Sequence, residues 1–266
     1  MKKILIWYIL LVGYINGAGP DPMFGENGMV VSTSRQASIA GIEILKKGGN
    51  AVDAACATGF VLAVTSSSNG NVGGGGFMVV HKADSTIFTL DYREIAPAAA
   101  HQDMFLDSNS EVIDNMSLRT RAASGVPGSV DGLLKAWKDH GSGNISRREL
   151  LASAIALAER GFELSHYEAK RFNDNKDLFL KNKAAAKIFI REDRKPWKAG
   201  DRFIQKDLAR TLKRIARKGR DGFYTGKTAD LIIAEMNRGI GLITHEDLLK
   251  YESKYRDPMI GSFKGY

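Results

Sequence analysis

The side chains able to do chemistry in this sequence are few, and most stand apart from one another. Arg93 closes the run Leu90-Asp91-Tyr92-Arg93-Glu94, which reads as the end of a strand. An arginine there presents a planar fork of N–H donors that can grip a carboxylate through two parallel hydrogen bonds. Its spacing also suits an ion pair with Asp91 or Glu94, and spacing alone favours the ion pair. The single cysteine, Cys56, has no histidine or lysine beside it to favour a thiolate, so it reads as a packed core thiol. The five histidines (His81, His101, His140, His166, His245) are scattered without metal-ligand spacing. No GxSxG elbow is present, and Gly125-Val126-Pro127-Gly128 reads as a tight turn.

Four consecutive glycines, Gly73 to Gly76, first invite a phosphate-binding reading. A P-loop requires Lys and Ser/Thr after its last glycine, and a dinucleotide fingerprint must open a helix. Here Phe77-Met78-Val79-Val80 follows, which is a strand, so both nucleotide readings fail. The glycines then serve close backbone approach or positive φ, in a packed turn that lines a cleft.

The elements that must hold these residues alternate between helix and strand. Ile39, Ile42, Ile44 and Leu45 stripe a helix over 38–47, stopped by Gly48-Gly49. Asn50 caps the next helix with Asp53 three residues on, and AVDAACATGFVLAV is apolar on nearly every face, which predicts burial all round. FMVV and TIFTLDYRE, parted by a polar break, predict a hairpin or meander. Ser146 with Glu149 forms a capping box, and the helix it opens ends at Gly161. A further helix runs from Asp207 to Gly219, and Thr244-His245-Glu246-Asp247 opens a short one before Tyr251.

Composition limits the alternatives. The chain has 266 residues, of which 44% are hydrophobic and 26% charged, so it is globular and long enough for one large domain or two modest ones. One cysteine allows no internal disulfide framework. The net charge of +8 is regional: residues 160–220 hold 19 Lys and Arg against 8 Asp and Glu. Those charges alternate with apolar helix positions, as in KRIARKGR, which favours a solvated helix face over a nucleic-acid surface, the rival reading that an export signal further disfavours. At the N-terminus, Lys2 and Lys3 precede an apolar run over 4–15 and the small residues Gly17, Ala18 and Gly19. That is the layout of a signal peptide over 1–18, its twelve-residue apolar run shorter than the roughly 20 residues needed to span a bilayer. An uncleaved membrane anchor is the rival reading, and two leading lysines argue against a buried strand.

From Gly48-Gly49-Asn50-Ala51-Val52-Asp53-Ala54-Ala55 onward the chain resembles the γ-glutamyltransferases, also called γ-glutamyltranspeptidases or glutathione hydrolase proenzymes. GNVGGGGFM at 70–78, LDYREIAPAAA at 90–100 and GVPGSVDGL at 125–133 carry the resemblance forward. ASAIALAERGFEL at 152–164, DGFYTGKTAD at 221–230 and GLITHEDLLKYE at 241–252 continue it in the family's order.

The resemblance implies an α+β fold, part of the αββα four-layer sandwich of N-terminal-nucleophile (Ntn) hydrolases. It implies one domain over 25–266, the N-terminal part of the large subunit. It also implies transfer of the γ-glutamyl group of glutathione to water, an amino acid or a dipeptide, with no cofactor and no metal. The nucleophile is the N-terminal threonine of a small subunit released by self-cleavage, with its own α-amino group as base. Arg93 matches the arginine that grips the donor's α-carboxylate. The glycine run is framework near the site, and the oxyanion hole belongs to the small subunit. None of the ten threonines lies in the family's processing motif, so the nucleophile is expected beyond Tyr266 and these residues alone are expected to be inactive. Ser66-Ser67-Ser68-Asn69 departs from the proline-containing loop of many relatives. The implied partners are the donor, the acceptor and the rest of the enzyme, with no nucleic acid and no stable membrane association after signal cleavage. The implied location is periplasmic or secreted. The alternative is a non-catalytic folded fragment that acts as an interaction protein.

Overall fold

A computed structural model describes residues 22–265 of the chain. The expected signal peptide at 1–18 lies outside the described residues. The elements run α1 (Arg35–Lys46), α2 (Ala51–Thr65), β1 (Phe77–His81), β2 (Ile87–Asp91), α3 (Met116–Arg119), α4 (Ser129–His140), α5 (Arg147–Arg160) and β3 (Phe162–Glu163). They continue with α6 (His166–Asp174), α7 (Lys176–Leu180), α8 (Lys183–Phe189), β4 (Arg202–Phe203), α9 (Lys206–Lys218), α10 (Asp221–Tyr224), α11 (Gly226–Met236), α12 (His245–Lys250) and β5 (Lys254–Arg256).

The capping signals place the helix starts. Asn50 Oδ1 accepts from the N–H groups of Val52 and Asp53 at 2.9 and 3.0 Å, while Asp53 Oδ2 returns the bond to the Asn50 N–H at 2.9 Å. Ser146 with Glu149 and Thr244 with Asp247 close the same reciprocal box on α5 and α12. Gly161 and Gly219 end α5 and α9 at φ 80° and 65°, a region closed to most side chains. The first helix starts earlier than its stripe suggests: Ser34 caps it, and Ala37, Ala40, Gly41 and Ile44 form its buried face. Ile39 is exposed. Small residues there allow close approach to α2, which outweighs the larger Ile39.

α2 is the centre of the core, packed against α1, α4 and α5. Phe60, Val61 and Val64 are fully buried on it, each contributing about 1.5–3 kcal/mol through burial. Burial is not complete on every face, however. Ala51 and Ala55 are exposed and Gly59 and Leu62 half-buried, a strip at helical spacing that faces an open groove of about 800 Å³ beside Val30, Phe77 and Val79.

The predicted hairpin forms. β1 pairs antiparallel with β2 in the register Phe77↔Asp91 to His81↔Ile87, and β5 adds to the other edge of β2, giving the order β1-β2-β5. Alternation along the strands gives the sheet two unlike faces. Met78, Val80 and Leu90 pack into the core, and Phe88 stacks on His140 of α4 with ring centroids 3.9 Å apart. On the opposite face Phe77, Val79 and Ile87 are exposed. Among the described residues the sheet thus has one helical layer on one face and an apolar open face on the other. β3 and β4 form a separate two-stranded ribbon beside an aromatic cluster of Phe162, Phe172, Phe189 and Phe203.

Candidate active site: the Arg93 cavity

The glycine run is shaped by crowding. Gly76 and Tyr92 exchange both backbone hydrogen bonds, at 3.2 and 3.0 Å, and so extend the β1–β2 ladder by one pair. The Gly74 carbonyl accepts from the N–H groups of Gly128 and Ser129 at 2.8 and 2.9 Å, satisfying the N-terminal end of α4. A Cβ on Gly75 would lie 2.5 Å from the Tyr92 carbonyl oxygen, and one on Gly76 would lie 2.9 Å from the Tyr92 ring. None of Gly73 to Gly76 has a positive φ. Of the two roles open to these glycines, close approach is the one used, at Gly74, Gly75 and Gly76; a Cβ on Gly73 would meet nothing closer than 3.4 Å.

The segment Gly125–Gly128 is likewise an extended crossing and not a tight turn. Ile95 and Val126 exchange backbone hydrogen bonds at 2.8 and 3.3 Å, tying it beside the chain that leaves β2. A Cβ on Gly128 would collide with Tyr251 Oη and the Tyr92 carbonyl oxygen.

These contacts present Arg93 from a backbone held on both sides. Its N–H donates to Asp91 Oδ1 at 3.0 Å, and its carbonyl accepts from Tyr251 Oη at 2.9 Å. The side chain is 66% exposed, with Nε 3.5 Å from Glu94 Oε2. The Glu94 ion pair suggested by spacing therefore forms, at long range. The Asp91 pair does not, because Asp91 Oδ2 accepts from Arg256 Nη2 and Nε at 3.0 and 3.2 Å. The Arg93 N–H first, and then Arg256, hold the Asp91 carboxyl below its ordinary value. Arg93, Glu94, Tyr92, Gly74, Asn69 and Ser129 line a cavity of about 430 Å³. An exposed guanidinium with one distant carboxylate keeps N–H donors available to an incoming carboxylate.

Behind Arg93 lies a buried polar network that no local pattern announces. Asp131, on α4, accepts from Arg220 Nε at 2.9 Å through Oδ1, and from the Ser253 N–H and hydroxyl at 2.8 and 2.6 Å through Oδ2. Arg220 also donates to the carbonyls of Leu249 and Tyr251 at 2.9 and 2.5 Å, satisfying the C-terminal end of α12. Tyr224 donates to the Pro127 carbonyl at 2.8 Å and stacks on Tyr251, with centroids 5.8 Å apart and planes 6° from parallel. Burial first, and the Asp131 carboxylate second, push the Tyr251 phenol far above its ordinary pKa. It therefore remains a donor to Arg93 at any physiological pH. The motifs GVPGSVDGL, DGFYTGKTAD and GLITHEDLLKYE meet in this network.

The other sequence candidates fall elsewhere. Cys56 is fully buried, and burial, with Asp53 adding to it, pushes its thiol up and keeps it unreactive. Among the described residues no three His, Cys, Asp or Glu side chains gather as a metal site. In the basic stretch, α9 turns Ala209, Leu212 and Ile215 inward and most of its charges to solvent, while the half-buried Arg214 donates from Nε to Thr228 Oγ1 at 2.8 Å.

The fold and this site define the class: the helix and strand arrangement is that of part of an Ntn hydrolase, matching solved γ-glutamyltranspeptidases. The Helicobacter pylori γ-glutamyltranspeptidase superposes with a TM-score of 0.89 at 40% identity, over 92% of this chain and 70% of that one. The family model described as gamma-glutamyltranspeptidase matches residues 37–266, and the chain belongs to that family. The glutathione hydrolase proenzyme of Pseudomonas sp. (strain A14) is 41% identical over 95% of this chain and 44% of its own length. That of Pseudomonas aeruginosa is 45% identical over 90% of this chain and 42% of its own. The chain spans less than half the length of these curated relatives.

Proposed function

We propose that these residues form the donor-recognition part of a γ-glutamyltransferase and glutathione hydrolase, with Arg93 binding the α-carboxylate of the γ-glutamyl donor. The observation that carries this reading is the Arg93 guanidinium, two-thirds exposed at a cavity while its backbone is held by Asp91 and Tyr251. The backbone bonds fix the point from which the side chain reaches, so no main-chain freedom has to be lost there on binding. Charge-assisted bonds to the carboxylate orient the donor, so that its γ-carbonyl meets the nucleophile in a set position.

On this reading the nucleophile is the threonine of a second subunit, which also supplies the oxyanion donors. The 266 residues then contribute binding and no acyl-accepting group. The exposed apolar sheet face of Phe77, Val79 and Ile87, with the strip Ala51–Ala55–Gly59 beside it, supports packing against the rest of such an enzyme. An acceptor amino acid or dipeptide completes the reaction, without cofactor, metal or nucleic acid. The leading segment, Lys2 and Lys3 followed by an apolar run over 4–15, supports export to the periplasm or medium.

The test is turnover of γ-glutamyl-p-nitroanilide. The purified 266-residue polypeptide is expected to show none, and activity is expected once it is joined to the C-terminal part of the Pseudomonas aeruginosa relative. Turnover by the polypeptide alone, or no turnover from a folded joined enzyme, contradicts the proposal.

A further inference from the structure

A second cavity, of about 480 Å³, opens between the loop after α2 and the helices α6 to α8. Ser68 and Asn69 border both this cavity and that of Arg93, so the two adjoin across that loop. Its floor is aromatic: Phe172, Phe179 and Phe189 form one cluster, Phe179 and Phe189 stacked with centroids 4.6 Å apart. Its polar lining includes Ser66, Ser67, Ser68, Glu168 and Arg171. An apolar floor of this volume with a few converging polar groups is the usual form of a small-molecule site.

Arg171 decides the chemistry of the occupant. Its Nη1 donates to the Tyr167 hydroxyl at 2.9 Å, and the guanidinium sits 5.6 Å from the Tyr167 ring centroid. Both contacts are to a neutral group one helical turn away, so they position the fork without neutralising it. Of the neighbouring carboxylates, Glu168 also lines the cavity but turns back to its own helix start, where it accepts from the Ser165 N–H at 2.7 Å, and Asp174 pairs with Lys170 at 2.6 Å. Phe172 is buried on the same helix and fixes which side of α6 turns outward. An exposed arginine with no carboxylate partner among the described residues, above an aromatic floor, offers one anionic and one apolar subsite.

We infer that this cavity binds a small carboxylate bearing an aromatic or large aliphatic side chain, such as an amino acid or the C-terminal residue of a short peptide. Arg171 takes the carboxylate by paired hydrogen bonds, the phenylalanine floor takes the side chain, and the serine hydroxyls meet the remaining polar atoms. The inference stands on Arg171 and its surroundings, whatever Arg93 binds.

The experiment is ligand-observed NMR on the 266-residue chain, with glycyl-L-phenylalanine and its C-terminal amide as probes. The dipeptide is expected to bind saturably, and the amide and the Arg171→Gln variant to weaken binding at least tenfold. Arg93→Gln is expected to leave it unchanged, which separates this cavity from the neighbouring one. Arg171 is exposed, and circular dichroism verifies that its variant keeps the fold. The inference is overturned if the dipeptide does not bind, if the amide or Arg171→Gln binds as well as the parent pair, or if Arg93→Gln is the change that abolishes binding.

Discussion

Tyr251 Oη donates a 2.9 Å hydrogen bond to the carbonyl of Arg93, joining the end of α12 to the end of β2 across 158 positions of sequence. Through it an exposed arginine at the rim of a cavity is tied to a buried network, in which Tyr251 stacks on Tyr224 and Arg220 ties the Tyr251 carbonyl to Asp131. Placement of Arg93 is therefore a tertiary property, set by three segments that meet only in the folded chain.

Tyr251→Phe removes the hydroxyl and keeps the ring. Loss of one hydrogen bond to a half-buried carbonyl is expected to cost about 1 kcal/mol. Urea denaturation measures it. A cost near zero would show that the carbonyl finds water as readily as the phenol.

Asp131→Asn breaks the centre of the network. Breaking a buried ion pair commonly costs about 3–5 kcal/mol, but Arg220 keeps 31% of its side chain exposed, which lowers the expectation to about 2–3 kcal/mol. A double-mutant cycle with Arg220→Ala should give a coupling energy of at least about 1 kcal/mol. Additive single effects would mean that Asp131 acts through Ser253 alone.

Two glycine substitutions separate crowding from conformational need. Gly73→Ala places its Cβ no closer than 3.4 Å to Asn71 Oδ1 and is expected to shift stability by less than about 1 kcal/mol. Gly75→Ala drives the Cβ to 2.5 Å from the Tyr92 carbonyl oxygen, a backbone atom with little freedom to yield, and is expected to cost about 1–3 kcal/mol or more. Equal effects in thermal melts would contradict the close-approach reading of the run.

Asp91 supplies a pH signature. Its folded-state pKa is held below the ordinary value of 3.8, chiefly by the Arg93 N–H and then by Arg256. A depressed carboxyl contributes stability that is fully present above its unfolded pKa and is lost as pH falls through the folded one. The stability difference between the parent chain and Asp91→Asn should hence be constant from about pH 6 upward and shrink below about pH 4. A difference that grows on acidification would reverse the sign and reject the assignment.

Much of this scaffold is legible in the sequence because its signals are local. The caps at Asn50, Ser146 and Thr244, the glycine stops at 161 and 219 and the hairpin between Phe77 and Asp91 each depend on residues a few positions apart. The glycine run left close approach and positive φ open, because the atoms that crowd Gly75 and Gly76 belong to Tyr92 and Glu94, up to 19 positions on, while only Gly74 is crowded locally, by Asn71. The Asp131–Arg220–Ser253 network was invisible for the same reason, since its partners lie 89 and 122 residues apart. At α2 the apolar pattern predicted burial on every side, but periodicity cannot say whether the neighbour of the Ala51–Ala55–Gly59 strip lies within these residues. Arg93 was visible as a candidate; the structure forms its ion pair with Glu94 at 3.5 Å, and the proposal that it also binds substrate rests on the family resemblance, not on its spacing.

The central claim, that Arg93 grips the donor's α-carboxylate, is tested most directly by kcat/KM for γ-glutamyl-p-nitroanilide. The measurement compares Arg93 with Arg93→Ala in the enzyme completed by the relative's C-terminal part. Loss of the charge-assisted bonds should raise the donor KM and lower kcat/KM by about 30- to 1,000-fold, or about 2–4 kcal/mol. An unchanged KM in a folded, processed variant would contradict the assignment.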